Sequence, residues 1–211
     1  MQIIPSILVK TKTEFKKQIE TIQKYVSILQ LDIADGKFVD NETWADPGVI
    51  KDATTCDIEL HLMVSDPLEE LKRWQSTEQV KRILVHFESV KNLDDIMPTL
   101  HAYGWEIGIV LNPETDIDVL KPYIEEIKSV QFMTIHPGKQ GQAFLPEVLE
   151  KIKKFHKKYP NMPIAADGHI DEITIPDLKK AGVTRFGVGS AIFGSDDPIA
   201  TIKKLELLLT H

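Results

Sequence analysis

The sequence lacks several features that mark secreted, membrane-bound and nucleic-acid-binding proteins. Cys56 is the single cysteine, so no disulfide can form within the chain, and we expect a structural thiol in a reducing compartment. No apolar run is long enough to cross a bilayer, so we expect neither a membrane span nor a signal peptide, and a cytoplasmic location. Positive charge is also in deficit, because 25 basic and 32 acidic residues give a net charge of −7. This balance argues against nucleic acid and anionic membranes as partners.

The length and composition of the 211-residue chain predict one globular domain spanning residues 1–211. The apolar fraction of 42% and charged fraction of 27% are typical of such a domain, and a chain of this length buries a core without disulfides. Eight apolar segments are typical of strands, at 3–6, 27–33, 58–64, 82–87, 106–111, 130–135, 164–166 and 185–188. Segments with helical apolar spacing alternate with them, at 13–25, 46–50, 67–74, 92–103, 116–123, 145–159, 173–181 and 198–209.

The strict alternation of strand and helix predicts the α/β class with a parallel sheet. Consecutive parallel strands need crossover helices, and eight such units favour a single (β/α)8 TIM barrel. An open doubly wound sheet is the alternative, but no G-x-G-x-x-G follows the first strand. We therefore expect a barrel with no organic cofactor.

Acidic residues interrupt two of the apolar strands close to their carboxyl ends. Asp32 lies inside an apolar run that ends in an Asp-Gly turn, and Asp167 closes a second apolar run that also enters a glycine. A buried carboxylate is either fully hydrogen-bonded and structural or is held for chemistry. Ser6, His61 and His86 also fall at strand ends, and a barrel would bring all five side chains to one mouth, where His86 is expected to contact substrate.

The last three strand-to-helix loops are rich in glycine, which lets backbone N–H groups approach an anion closely. Barrels often bind phosphate at this corner, although glycines also simply turn loops. We predict phosphate binding by these loops. The residues concerned are Gly138, Lys139, Gln140, Gly141, Gly168, Gly189 and Ser190.

Two carboxylates facing each other across a phosphorylated sugar predict proton transfer at carbon. The ring positions of the second and seventh strands place Asp32 and Asp167 on opposite sides of the substrate. One carboxylate would remove a proton beside a carbonyl, and the other would return one to the opposite face, inverting the stereocentre. The enediolate formed between these steps needs a metal or fixed hydrogen-bond donors.

Six motifs in order make the sequence resemble ribulose-phosphate 3-epimerases over nearly its whole length. They are PSIL at 5–8, DGKFVDN at 35–41, HLMV at 61–64, LNPET at 111–115, MTIHPG at 133–138 and VGSAIF at 188–193. The resemblance implies a phosphate-binding barrel that interconverts ribulose 5-phosphate and xylulose 5-phosphate in the pentose phosphate pathway, usually with a divalent metal. It implies that Asp32 accepts the proton and Asp167 donates one. The substrate contacts implied are Ser6, His61, Gly138, Lys139, Gln140, Gly141, Gly168, Gly189 and Ser190, with Met63 and Met133 lining the pocket.

The departures from that pattern lie around the pocket. Gln30 stands where the family has a metal-binding histidine, which leaves Asp32, His61 and Asp167 as metal ligands. Three ligands would hold zinc, iron or manganese more weakly, or the site would work empty with Gln30 and His61 as enediolate donors. Ala34 replaces a methionine and would enlarge the pocket, and His169 replaces a glycine beside the phosphate loops.

These departures leave two alternatives to a phosphopentose 3-epimerase. One is an epimerase for a phosphohexulose of the allulose 6-phosphate type, favoured by the smaller Ala34 and by the altered loop, in which Lys139-Gln140 replace the family's usual Phe-Gly. The other is a catalytically silent barrel that binds sugar phosphates or a protein partner, suggested by Gln30 and His169. The family is often oligomeric, so a homo-oligomer is expected, although the sequence does not set the number of chains.

Overall fold

Eight parallel strands form a closed barrel in the computed structural model, which describes residues 1–137 and 142–210. The strands are β1 (Gln2–Ile7), β2 (Ile28–Ala34), β3 (Asp57–Met63), β4 (Val80–His86), β5 (Glu106–Leu111), β6 (Ser129–Met133), β7 (Ile164–Asp167) and β8 (Arg185–Val188). Each strand pairs with the next in sequence, and β1 pairs with β8 to close the ring. The predicted (β/α)8 barrel is confirmed, and the open doubly wound sheet is wrong because that fold leaves two unpaired edges.

Helices connect the strands on the outside of the barrel. The α-helices are α1 (Lys12–Ile22), α2 (Pro47–Ala53), α3 (Pro67–Lys72), α4 (Met97–Ala102), α5 (Glu147–Lys158), α6 (Ile175–Ala181), α7 (Ser190–Phe193) and α8 (Pro198–Thr210). Short 3₁₀ helices span Phe87–Ser89, Leu93–Asp95 and Ile117–Tyr123. None of the helices in the described ranges is long and apolar enough to cross a bilayer.

Two predicted helices differ from the observed ones, and proline explains both. The helix predicted at 92–103 is split into a 3₁₀ turn and α4, because Pro98 lacks an N–H group and fits only the first turn of a helix. The segment predicted as helical at 116–123 is 3₁₀ throughout and contains Pro122. The same preference starts α2 and α3 cleanly, where Asp46 and Asp66 cap the first turn ahead of a proline.

Alternate residues of each strand face opposite sides of the barrel wall. The outward side chains, such as Leu60 and Phe132, join the helices in one large apolar cluster, in which Phe155 is fully buried. This layer supplies most of the buried apolar surface that stabilises the fold.

The inward residues at the amino-terminal end of the barrel form an ionic network. Arg82 contacts Glu59, and its Nε lies 2.8 Å from Glu106 Oε1. Arg185 donates to the same Glu106 oxygen at 2.7 Å. Burial raises the pKa of Glu59 in spite of the neighbouring guanidinium. These groups satisfy one another and close the end of the barrel opposite the predicted site.

Candidate active site

Four strands bring polar side chains together inside the other end of the barrel. Asp32 and Gln30 project from β2, His61 from β3, Asp167 from β7 and Ser6 from β1, and all are buried. Ser6 Oγ donates to Asp32 Oδ2 at 2.5 Å. Gln30 Nε2 donates to Asp32 Oδ1 at 2.8 Å and to Asp167 Oδ2 at 2.6 Å. The two predicted acids are therefore joined by one amide group.

The relative position of the two acids differs from the sequence-based expectation. In the ring, β2 and β7 are separated on one side by β1 and β8 alone, so the strands are not opposite each other. One oxygen of Asp32, one oxygen of Asp167 and a ring nitrogen of His61 all lie within 4.8 Å of one another. The carboxylates are close neighbours because both point inward at the same height of a narrow, eight-stranded barrel.

His61 lies between the two carboxylates and carries the positive charge of the site. Its Nδ1 is 2.8 Å from Asp32 Oδ1 and 3.2 Å from Asp167 Oδ2. Burial alone would lower the pKa of His61, but the hydrogen bonds to Asp167 and Asp32 outweigh it and raise the pKa to about 10. At neutral pH the imidazole is therefore an imidazolium that donates through Nδ1.

His86 lies behind His61, with the two Nε2 atoms 2.9 Å apart. Burial and the charge of His61 lower the pKa of His86 to about 4, although Glu88 opposes the shift. His86 is thus neutral. Its Nε2 accepts a hydrogen bond from His61 Nε2, and its Nδ1 donates to Asn112 Oδ1 at 3.0 Å. Both ring nitrogens have protein partners and the ring is fully buried, so its role as a substrate contact stays a prediction.

Apolar side chains flank this polar centre. Met63 packs with Ala34 and Val39, and Met133 lies in a second cluster with Ile135. Both methionines are buried, and their role as pocket lining stays a prediction. Ala34 is buried in the same cluster, and the enlargement of the pocket by its small side chain stays a prediction.

The Asp35 carboxylate stabilises the DGKFV turn after β2. In the sequence, Asp35 is recognisable only as part of an Asp-Gly turn. Asp35 Oδ1 accepts from the backbone N–H groups of Lys37 and Phe38, and Oδ2 accepts from the backbone and hydroxyl of Ser65. Burial opposes ionisation, but these hydrogen bonds hold the pKa of Asp35 well below its usual range. The turn places the Phe38 ring 5.0 Å from the His86 ring.

The glycine-rich corner is described only in part. Gly168 has φ of +112°, and a Cβ there would lie 2.4 Å from Ile135 Cγ1, so both conformation and packing require glycine. Gly189 and Ser190 lie at the start of α7, next to a small cavity of about 160 Å³ that His169 also lines. The predicted contacts Gly138, Lys139, Gln140 and Gly141 lie outside the described residues.

Two further polar residues reach the site without having been predicted. Gln131 Nε2 lies 3.5 Å from Asp167 Oδ2, and Asn112 anchors His86. A signal for each existed in the sequence, because Gln131 is polar inside an apolar strand and Asn112 follows one directly.

Asp32, His61 and Asp167 are by chemical type a possible metal-binding group. However, the Gln30 amide nitrogen lies 2.8, 3.3 and 2.6 Å from the three candidate ligand atoms. A cation bound at about 2.0–2.2 Å from each of them would press against the amide hydrogens. With Gln30 placed in this way, the group does not fit a metal.

Comparison with known proteins identifies the family. A model of the "Ribulose-phosphate 3 epimerase family" matches residues 2–193, which is most of the chain. The chain belongs to this family. It is therefore an enzyme of the isomerase class, as the motifs predicted.

Curated relatives match over most of their own length. A ribulose-phosphate 3-epimerase of Schizosaccharomyces pombe is 30% identical, covering 97% of this chain and 92% of the relative. The cytoplasmic isoform of the rice (Oryza sativa subsp. japonica) epimerase is 32% identical, covering 84% and 80%. Among solved structures, 3-hexulose-6-phosphate synthase from Salmonella typhimurium superposes with a TM-score of 0.73 at 16% identity, covering 100% of this chain and 99% of that one. That likeness establishes the barrel fold alone.

Proposed function

We propose that this epimerase inverts C3 of ribulose 5-phosphate to give xylulose 5-phosphate. The observation that carries the proposal is the pair of buried carboxylates from β2 and β7, which share Gln30 and His61 inside the barrel mouth of a family member. Two carboxylates beside one carbon are what a two-base inversion needs.

In the proposed reaction, Asp32 takes the C3 proton of ribulose 5-phosphate. The C3–H electron pair becomes the C2=C3 bond of an enediolate, and the carbonyl electrons move to the C2 oxygen. Protonated Asp167 then gives a proton to the opposite face of C3, and the electrons return to the C2 carbonyl. Each turnover leaves Asp32 protonated and Asp167 ionised, so proton exchange with water restores the starting state.

The hydrogen-bonding of the two acids is consistent with these different roles. Both oxygens of Asp32 accept hydrogen bonds, from Ser6 on one side and from Gln30 and His61 on the other. All the hydrogen bonds to the Asp167 carboxyl group reach Oδ2, and no residue in the described ranges donates to its Oδ1. A free carboxyl oxygen is suited to carry a proton toward substrate, and the N–H groups of Gln30 and His61 are suited to stabilise the enediolate.

The phosphate is proposed to bind at the glycine-rich corner that includes Gly168, Gly189 and Ser190, and Gly138, Lys139, Gln140 and Gly141 stay predicted contacts. A phosphorylated ketose is the partner we expect; a homo-oligomer and a cytoplasmic location stay predictions. A phosphohexulose 3-epimerase of the allulose 6-phosphate type stays the alternative, and the relative rates with the two sugars decide between them.

Proton NMR in deuterium oxide tests the proposal directly. Incubation with ribulose 5-phosphate is expected to give xylulose 5-phosphate with one deuterium at C3. Allulose 6-phosphate in the same tube separates the two sugar classes by their relative rates. Failure of both sugars to exchange or epimerise with stoichiometric protein, with and without added zinc, iron or manganese, would overturn the proposal and favour a barrel that only binds.

A further inference from the structure

Within residues 1–137 and 142–210, Asp32, His61 and Asp167 are the only group of acids and histidines that could bind a metal ion. The Gln30 side chain lies among these three residues. We propose that the Gln30 carboxamide keeps divalent cations out of this site and takes over the task of holding the two carboxylates together. The consequence for catalysis, an epimerisation that needs no metal, rests on the function proposed above. The exclusion of the cation does not.

The first argument is the position of the amide. Its nitrogen is within 3.3 Å of Asp32 Oδ1, His61 Nδ1 and Asp167 Oδ2, and it is within 2.8 Å of both carboxylates. Two hydrogens on one nitrogen match two carboxylate oxygens, one for each. A cation among the same three atoms would meet those hydrogens, which carry partial positive charge.

The second argument concerns which way the amide points. Turning the amide over would set Oε1 against two acceptor oxygens, so Asp32 Oδ1 and Asp167 Oδ2 fix the NH₂ group between them. Oε1 then points away and is buried without a hydrogen-bond partner in the described ranges. It lies toward Gly187, where an added Cβ would come within 3.2 Å of Oε1 and 3.1 Å of Asp167 Cγ. A glycine at 187 therefore leaves room for this orientation.

Metal uptake without substrate tests the inference. The chelator-treated chain and the variants Gln30→Ala, Gln30→His and Gln131→Ala are each titrated with Co²⁺. Visible absorbance, calorimetry and elemental analysis of the gel-filtered protein give affinity and stoichiometry. We expect negligible uptake by the unaltered chain and about one cobalt per chain for Gln30→His, because the new imidazole adds a fourth ligand to the three already present. Gln131→Ala is the matched control, because its amide also approaches Asp167 but lies outside the cluster, and it is expected to behave like the unaltered chain.

The variant Gln30→Ala distinguishes two explanations for the expected absence of metal binding. Either the Gln30 amide excludes the cation, or the site only lacks a fourth ligand. If the amide keeps the cation out, removing it exposes three ligands and cobalt uptake rises above that of the unaltered chain. Equal uptake by the two proteins, or one equivalent of cobalt in the unaltered chain, would overturn the inference. Circular dichroism of each variant confirms folding before titration. Because no sugar is present, a lack of epimerase activity would defeat the proposed function while leaving this result standing.

Discussion

Replacing either carboxylate by its amide should remove epimerisation while keeping the fold. In Asp32→Asn the remaining oxygen still accepts from Gln30 and His61, and the new NH₂ group faces Ser6 Oγ, which turns to accept. The exchange of one charge-assisted hydrogen bond for a neutral one costs about 1–2 kcal/mol of stability. The loss of activity therefore reports on chemistry.

The size of that loss follows from the role assigned to each acid. A positioned general base or acid contributes about 10²–10⁴-fold, which corresponds to roughly 2.7–5.4 kcal/mol of transition-state stabilisation. The loss should appear in kcat, because the substrate phosphate is expected to be bound by backbone N–H groups of the glycine-rich corner and not by the carboxyl groups of Asp32 and Asp167. KM should change little by comparison.

Isotope exchange separates the two acids more sharply than the rate does. In deuterium oxide, Asp167→Asn should still exchange the C3 hydrogen of ribulose 5-phosphate through Asp32, with retention and without inversion. Asp32→Asn should show the reverse pattern, exchanging xylulose 5-phosphate alone. Asp177→Asn, an exposed acid paired with Lys180 on α6, serves as the control with unchanged rates. Either active-site variant epimerising within about threefold of the unaltered rate would refute the two-base assignment.

Three further outcomes are expected from residues around the site. Because its hydrogen bonds lower the pKa of Asp35, that carboxylate stabilises the fold above pH ~4 and loses the contribution as pH falls through the folded value. Urea unfolding should therefore show Asp35→Asn less stable at pH 7, with a gap that narrows by pH 3; a constant gap would contradict the linkage. Gly168→Ala should cost about 3 kcal/mol, since the added Cβ would lie 2.4 Å from Ile135 Cγ1 at positive φ, and calorimetry should show Tm lower by about 6–12 °C. Lys151→Met removes an ammonium that donates to three backbone carbonyls at 2.7–3.1 Å, and should lower Tm by about 2–8 °C; no change would mean that water replaces it fully.

The barrel could be predicted because each strand is a short apolar run and each helix has its own periodicity. Asp32 and Asp167 stood out for the same reason, since a charge inside such a run conflicts with burial. The motifs then supplied the family, which the comparisons confirmed.

The sequence could not reveal what Gln30 does. Its substitution for a histidine is visible in the letters, but its contact with Asp167 joins residues 137 positions apart and depends on the stagger of the strands. Only the folded barrel shows that the amide nitrogen points at both acids. The relative position of β2 and β7 was misjudged for a similar reason, because distance across a closed ring is set by its diameter.

The division of each strand into an outward apolar side and an inward polar side separates two kinds of selection. A change at an inward position near the carboxyl ends of the strands alters the groups available for chemistry. A change at an outward position, or in the inward ionic network at the other end, alters the stability of the barrel. Phe132 and Gln131 are sequence neighbours on opposite sides of the barrel wall. Phe132 packs in the outer apolar layer, and Gln131 lies beside Asp167. The outward layer can therefore keep the barrel closed around inward groups of different chemistry, and a 3-hexulose-6-phosphate synthase has the same fold at 16% identity.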